Sequence, residues 1–275
     1  MRADSRKAMA SDDPNVRRRI NGKRPPPTND VLPLHTLVIN LDRRKDRWEG
    51  ISNRLKEFQA SPPLLSVHRF QATDGLTDEV PLDAVGSCWN TSRNAKFDGR
   101  QGYRADVELQ MTHGERGCAM SHVRAWRTVA GRITPVLVME DDAVPTKSFG
   151  QRLRQKLPEA EALGADVLYL GHIPGAPWRQ KKKPGLYEAE YLWTTVAYVL
   201  WPHGAKKLLE LLPVDEPVDN FMAWQMAQRK LFALAIVPEV VKQELPWDQA
   251  SDVPHSDDTV LESTENTEST ASEKK

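Results

Sequence analysis

Cysteine is nearly absent. Cys88 and Cys118 are the two in 275 residues. Two thiols make neither a disulfide framework nor a cysteine zinc site, and they read as free. Net charge is absent too. The 38 Lys and Arg balance 38 Asp and Glu, so no global basic field suits the chain to nucleic acid. No apolar run approaches the roughly 20 residues that span a bilayer. The opening "MRADSRKAMASDDPNVRRRI" has no apolar core of the secretory kind. That lack predicts a cytoplasmic start, or the endoplasmic reticulum lumen if the true N-terminus lies upstream. What is present is a 39% hydrophobic fraction, enough for the core of one sizeable domain.

The ends are excluded from that core. Residues 1–33 are charged and Pro-rich, with "VRRRINGKR" and "KRPPPTND". They read as a disordered, solvated tail rather than a nucleic-acid patch. Residues 254–275 are acidic and rich in Ser and Thr, and read as a second disordered tail. Residues 34–253 then form one domain.

Within it, strand and helix signals alternate. "HTLVINL" is a short apolar run, a buried strand. In the following "DRRKDRWEGISNRLKEF", Trp48, Ile51, Leu55 and Phe58 recur at helical steps. "SVHRFQATDG" reads as a strand that ends in a turn at Asp74. Residues 75–112 show no period and read as a long loop. A helix is predicted from Gly114 to Ala130, then strands at "VLVM", "ADVLYLG", "YLWTTVAYVLW" and "FALAIVPEVV". "PHGAKKLLELLP" reads as a helix opened by Pro202. This alternation predicts an α/β fold with a largely parallel sheet.

"PVLVMEDDAV" drives an apolar run straight into Glu140, Asp141 and Asp142. In open α/β sheets ligands sit beyond the carboxyl ends of strands. Three adjacent carboxylates repel one another unless a cation neutralises them. Mg²⁺ and Mn²⁺ take oxygen ligands and bridge phosphates. The cluster therefore reads as a metal and diphosphate site, with an acidic solvated turn as the alternative. "NLDRR", Asn40 to Arg44, ends the first strand where a nucleotide would lie, with Arg43 and Arg44 available to phosphate. A helix start capped by Asp42 accounts for the same residues. Ser121 and His122 fall on an otherwise apolar helix face, so His122 is either a satisfied core residue or part of the site.

Taken in order, "VINLDRRKDRW", "FQATDG", "GERGCAMSHVRAW", "VLVMEDDAV", "DVLYLG", "YLWTTVAYVLWPHGAKKLL" and "LPVDEPVDNF" resemble glycosyltransferase family 25. That family includes lipooligosaccharide and procollagen galactosyltransferases. The resemblance implies a GT-A-like nucleotide-sugar-binding fold, its mostly parallel sheet flanked by helices. It implies a UDP-sugar donor, most often UDP-galactose, Mn²⁺ or Mg²⁺ as cofactor, inversion at the anomeric carbon, and a glycan or protein hydroxyl as acceptor. It puts the metal on Asp141 and Asp142, with Glu140 beside them. It puts the nucleotide against Asn40, Asp42, Arg43, Arg44, Asp74, Ser121 and His122.

Inversion in one displacement needs a base for the acceptor hydroxyl. "LPVDEPVDNF" offers Asp215, Glu216 and Asp219. Asp215 lies in the part similar to the collagen-modifying branch, Asp219 in the part similar to bacterial members, and Asp219 is preferred. Helix capping after Pro217 is the other account. The late "WDQASDVPHSDD" supplies Asp252, His255 and Asp257, with His255 expected as a further metal ligand. UDP-glucose as donor, or a non-catalytic nucleotide-sugar-binding member, are the alternatives to galactosyl transfer.

Overall fold

The computed structural model describes residues 33–244 and 253–257. Apart from the residues at their inner edges, the two expected tails lie outside the described residues, as does Asp252.

β1 (Leu34–Asn40) is the expected buried strand, and α1 (Lys45–Leu55) buries Ile51 and Leu55. β2 (Leu65–Gln71) pairs parallel with β1. The stretch read as a long loop holds three short elements: β3 (Cys88–Asn90), α2 (Ser92–Ala95) and β4 (Glu108–Gln110). Elements of three or four residues are too short to show a hydrophobic period.

α3 (His113–Ala130) begins with a capping box: Thr112 accepts from the Glu115 amide while Glu115 accepts from the Thr112 amide. β5 (Val136–Glu140) and β6 (Ala143–Pro145) follow, then α4 (Phe149–Leu163), which ends at Gly164 in the left-handed region, φ 76°. β7 (Val167–Pro174) leads to a hairpin of β8 (Gln180–Lys183) and β9 (Leu186–Glu188). Then come β10 (Leu192–Leu200), α5 (Pro202–Glu210), α6 (Val218–Ala227), β11 (Ala233–Ile236) and β12 (Val241–Gln243).

The main sheet has eight strands in the order β2-β1-β5-β10-β7-β11-β9-β8. β9 and β10 run against the other strands, so the sheet is mixed but largely co-directional. Its central strands, β1, β5, β7, β10 and β11, are largely apolar because both faces are covered there, while the edge strands β2 and β8 carry polar residues. Side chains alternate between two cores. Leu37, Ile39, Val136, Val138, Tyr169 and Tyr198 pack with α3, α5 and α6. Val38, Leu137, Met139, Leu168 and Val199 pack with α1 and α4. This is the period of two expected of a pleated strand.

The direction of β10 positions the site. It returns antiparallel between β5 and β7. Its first residues therefore lie beside the last residues of those two strands, where a co-directional sheet holds its ligands.

Candidate functional site

At that edge a cavity of about 500 Å³ opens. Glu140 enters it from the end of β5, Thr194 and Thr195 from the start of β10, and Asp219 from the first turn of α6. Cys118 on α3, Asn94 on α2, Trp193, Gln243 and His255 complete much of the wall.

Glu140 is held by neighbours. Thr195 Oγ1 donates to Glu140 Oε1 at 2.6 Å, and His122 Nε2 lies 3.5 Å from the same oxygen. Burial opposes its ionisation, but His122, Thr195 and Arg47 hold the carboxyl below its ordinary range. His122 is fully buried, so it is at once a core residue and a partner of a cavity acid. Its Nδ1 lies 2.8 Å from the Tyr198 hydroxyl, which also accepts from Trp126 Nε1 at 3.0 Å. Indole can only donate, so the Tyr198 hydroxyl, accepting from it, is left to donate to Nδ1. The proton of His122 then sits on Nε2, facing Glu140.

Asp141 is buried and turned away from the cavity. It accepts from Asn40 Nδ2 at 2.7 Å and from Arg47 Nη1 at 3.2 Å. Burial raises its pKa against those contacts. Asp142 accepts from Gln243 Nε2 at 3.3 Å, while its Oδ1 is buried without a hydrogen-bond partner among the described residues. Burial, Glu140 and Asp141 push its carboxyl up to about 7.

Asp219 and Asp215 part company. Asp219 Oδ2 accepts from the Thr194 amide at 3.3 Å and Oδ1 from the Asn220 amide at 2.9 Å. Burial raises its pKa, opposed by His255 and those amides. Asp215 pairs with Arg93 at 3.1 Å, is 42% exposed and does not line the cavity. The same guanidinium reaches Glu216 at 2.8 Å, yet burial raises the Glu216 pKa to about 7.

The other expected contacts are scattered. Asp42 pairs with Arg69 at 2.8 Å and does not cap α1, whose N-cap is Arg44 with no side-chain capping bond. That capping expectation is corrected: the chain makes one more turn before the helix starts. Arg44 pairs with Asp46, and Arg43 with Asp74, each at 2.8 Å. Ser121 on α3 accepts from the Thr73 amide and donates to the Gly117 carbonyl, buried and not lining the cavity. His255 faces Asp219 and Glu115. Asp257 is engaged by Arg100 at 2.6 Å and Tyr103 at 3.1 Å. Among the described residues no three His, Cys, Asp or Glu side chains form a group able to hold a metal.

Sequence reasoning missed Thr194, Thr195 and Arg47. Nothing in "YLWTTVAYVLW" marks the two threonines. Arg47 had a signal, since it stands four residues before buried Ile51 and so shares its side of α1.

The sequence pattern described as glycosyltransferase family 25 (LPS biosynthesis protein) matches residues 34–222. The chain belongs to glycosyltransferase family 25. Within the family, a human protein named inactive glycosyltransferase 25 family member 3 is 34% identical over 194 residues, 67% of this chain and 30% of its own length. An Aedes aegypti glycosyltransferase 25 family member is 34% identical over 198 residues, 68% of this chain and 30% of its length. Procollagen galactosyltransferase 1 of Danio rerio is 29% identical over 227 residues, 74% of this chain and 35% of its length. This family 25 chain thus spans about a third of the length of those relatives. Among its described residues no helix is long and apolar enough to cross a membrane.

Proposed function

We propose that this chain transfers a hexose, galactose from UDP-galactose, onto a glycan or protein hydroxyl with inversion. The observation that carries the reading is the meeting of Glu140 and Asp219 in one cavity, at the strand edge that also holds Asp141 and Asp142. Asp219 is the base. It lines the cavity, and burial keeps its basicity above that of an ordinary carboxylate. Asp215, half-exposed and committed to Arg93, suits that role less.

In the step, the acceptor hydroxyl gives its proton to Asp219 as its oxygen bonds the anomeric carbon from one side. The bond from that carbon to the diphosphate breaks on the other side, and UDP leaves with the electron pair. Glu140, fixed by His122 and Thr195, presents a defined acceptor to sugar hydroxyls. Arg43 and Asp74 stand on the loops after β1 and β2, where the base and ribose would lie. Asn40 serves indirectly by holding Asp141.

The donor set fits a divalent cation in part. A buried carboxylate oxygen on Asp142, without a hydrogen-bond partner among the described residues, is what a cation would satisfy. Asp142 would be the residue that holds Mn²⁺ or Mg²⁺, next to Asp141 on the chain, and His255 in the cavity lining is the remaining candidate ligand. Such ions often take one or two carboxylates and complete their shell with phosphate and water. Bound there, the ion would offset charge on the departing diphosphate.

A second reading is a family member that binds the donor without turnover, favoured by the name of the 34% identical human relative. One assay separates the two: UDP release from UDP-galactose and UDP-glucose with Mn²⁺, with and without a chelator. Release with UDP-galactose, lost on chelation and in Asp219→Asn, supports transfer. Donor binding without release supports the second reading. Thermal shift with Mn²⁺ adds a readout independent of turnover: Asp142→Asn should abolish a metal-induced rise in melting temperature, and an undiminished rise refutes the assignment.

A further inference from the structure

One residue of the cavity wall carries two local penalties. Thr194 has φ of 70°. For a β-branched side chain the left-handed region is a true outlier, held only when its surroundings impose it. Its hydroxyl oxygen is buried without a hydrogen-bond partner among the described residues, which also lowers stability.

The cause of the strain is a bulge. Trp193 pairs with Ile173 and Ala197 with Gly171, so β10 takes four steps where β7 takes two. The surplus residues, Thr194 and Thr195, are pushed toward the cavity. Each then meets one acid. Thr195 donates through its hydroxyl to Glu140 at 2.6 Å, and Thr194 through its amide to Asp219 at 3.3 Å.

The fold needs neither penalty. Glycine at 194 would adopt this φ without strain, and valine would bury the same shape without a hydroxyl to desolvate. Thr194 lines the cavity and its amide holds Asp219, so both penalties fall at the site rather than in the bulk of the fold.

We infer that Thr194 is a positioning residue of the transfer site: its strained backbone aims Asp219 toward the acceptor. This rests on the transferase reading above. The assignment follows from the neighbour: the amide of Thr194 holds the oxygen of Asp219 next to which the acceptor must lie.

The test compares Thr194→Gly, Thr194→Val and Thr194→Ser with the wild type. Melting temperature is followed without ligand. UDP release is followed with UDP-galactose and Mn²⁺, with water, lactose and a hydroxylysine peptide offered as acceptors. Expected is a higher melting temperature for the Gly and Val variants, with kcat lower by about tenfold or more for Thr194→Gly, whose relaxed backbone no longer aims Asp219, and near wild type for Thr194→Val. Donor KM should stay near wild type, and Thr194→Ser should retain most of the rate. Gly and Val variants that melt no higher than wild type overturn the strain and desolvation argument. A stabilised Thr194→Gly that transfers at the wild-type rate overturns the functional assignment. A wild type that releases no UDP overturns the transferase reading itself, which is distinct from failure of the variants alone.

Discussion

His122 Nδ1 and the Tyr198 hydroxyl lie 2.8 Å apart, both fully buried, and between them they link the core to a cavity carboxylate. Trp126 supplies the proton-donating end of this chain and Glu140 the accepting end, so a residue with no contact to the cavity governs one that has it. Tyr198→Phe tests the link. It leaves Trp126 Nε1 without an acceptor and His122 without a fixed tautomer. Stability should fall by about 2 kcal/mol in urea denaturation, and kcat should fall while donor KM holds. Unchanged kcat in a correctly folded variant would detach His122 from the site.

The pH dependence of turnover should follow Asp219. A base must be deprotonated to act, and burial raises the pKa of this one. The rate should therefore climb with pH along a limb lying above the ordinary carboxylate range. Asp219→Asn should lose that limb and about 10²- to 10⁴-fold in kcat. Asp215→Asn should keep both. A reversal of the two results would transfer the base role to Asp215.

Glu216 makes a separate prediction for stability. Its carboxyl in the folded protein, pushed up to about 7 by burial, lies above the ordinary glutamate value of 4.5. The folded state therefore binds the proton more tightly, and stability falls as pH rises from about 4.5 through about 7. The full effect is on the order of 3 kcal/mol. Glu216→Gln should flatten this part of the stability profile and be the more stable protein at pH 8. Chemical denaturation at half-unit pH steps would reveal a wild-type slope of the opposite sign, if the pair with Arg93 dominates instead.

Gly75 and Gly117 allow the turn after β2 to sit against the start of α3. A Cβ on Gly75 would lie 1.8 Å from the His113 carbonyl oxygen, and one on Gly117 2.6 Å from the Gly75 amide. These neighbours are backbone and cannot rotate aside. Gly75→Ala and Gly117→Ala should each cost about 3 kcal/mol, measured by thermal unfolding. The double variant should lose less than the sum, because the same contact is opened once.

Much of the molecule was legible before any coordinates. Apolar runs and helical stripes are local properties, so the sequence alone determined the strands β1, β5, β7, β10 and β11, the helix α3, and the place of the acidic triplet at a strand end. It also carried the family, since the order of seven motifs is itself linear information. The short elements between residues 75 and 112 left no period to read, and α6 was visible only as a cap. What the tertiary structure decided was orientation. The antiparallel return of β10 is set by sheet pairing across long sequence separations, and that return brings Thr194 and Thr195 to Glu140 and Asp219. The choice between Asp215 and Asp219 is likewise one of facing: four residues apart on the chain, one turns to Arg93 and solvent, the other into the cavity. Side-chain direction depends on how elements pack, and packing is not written in any single stretch of sequence.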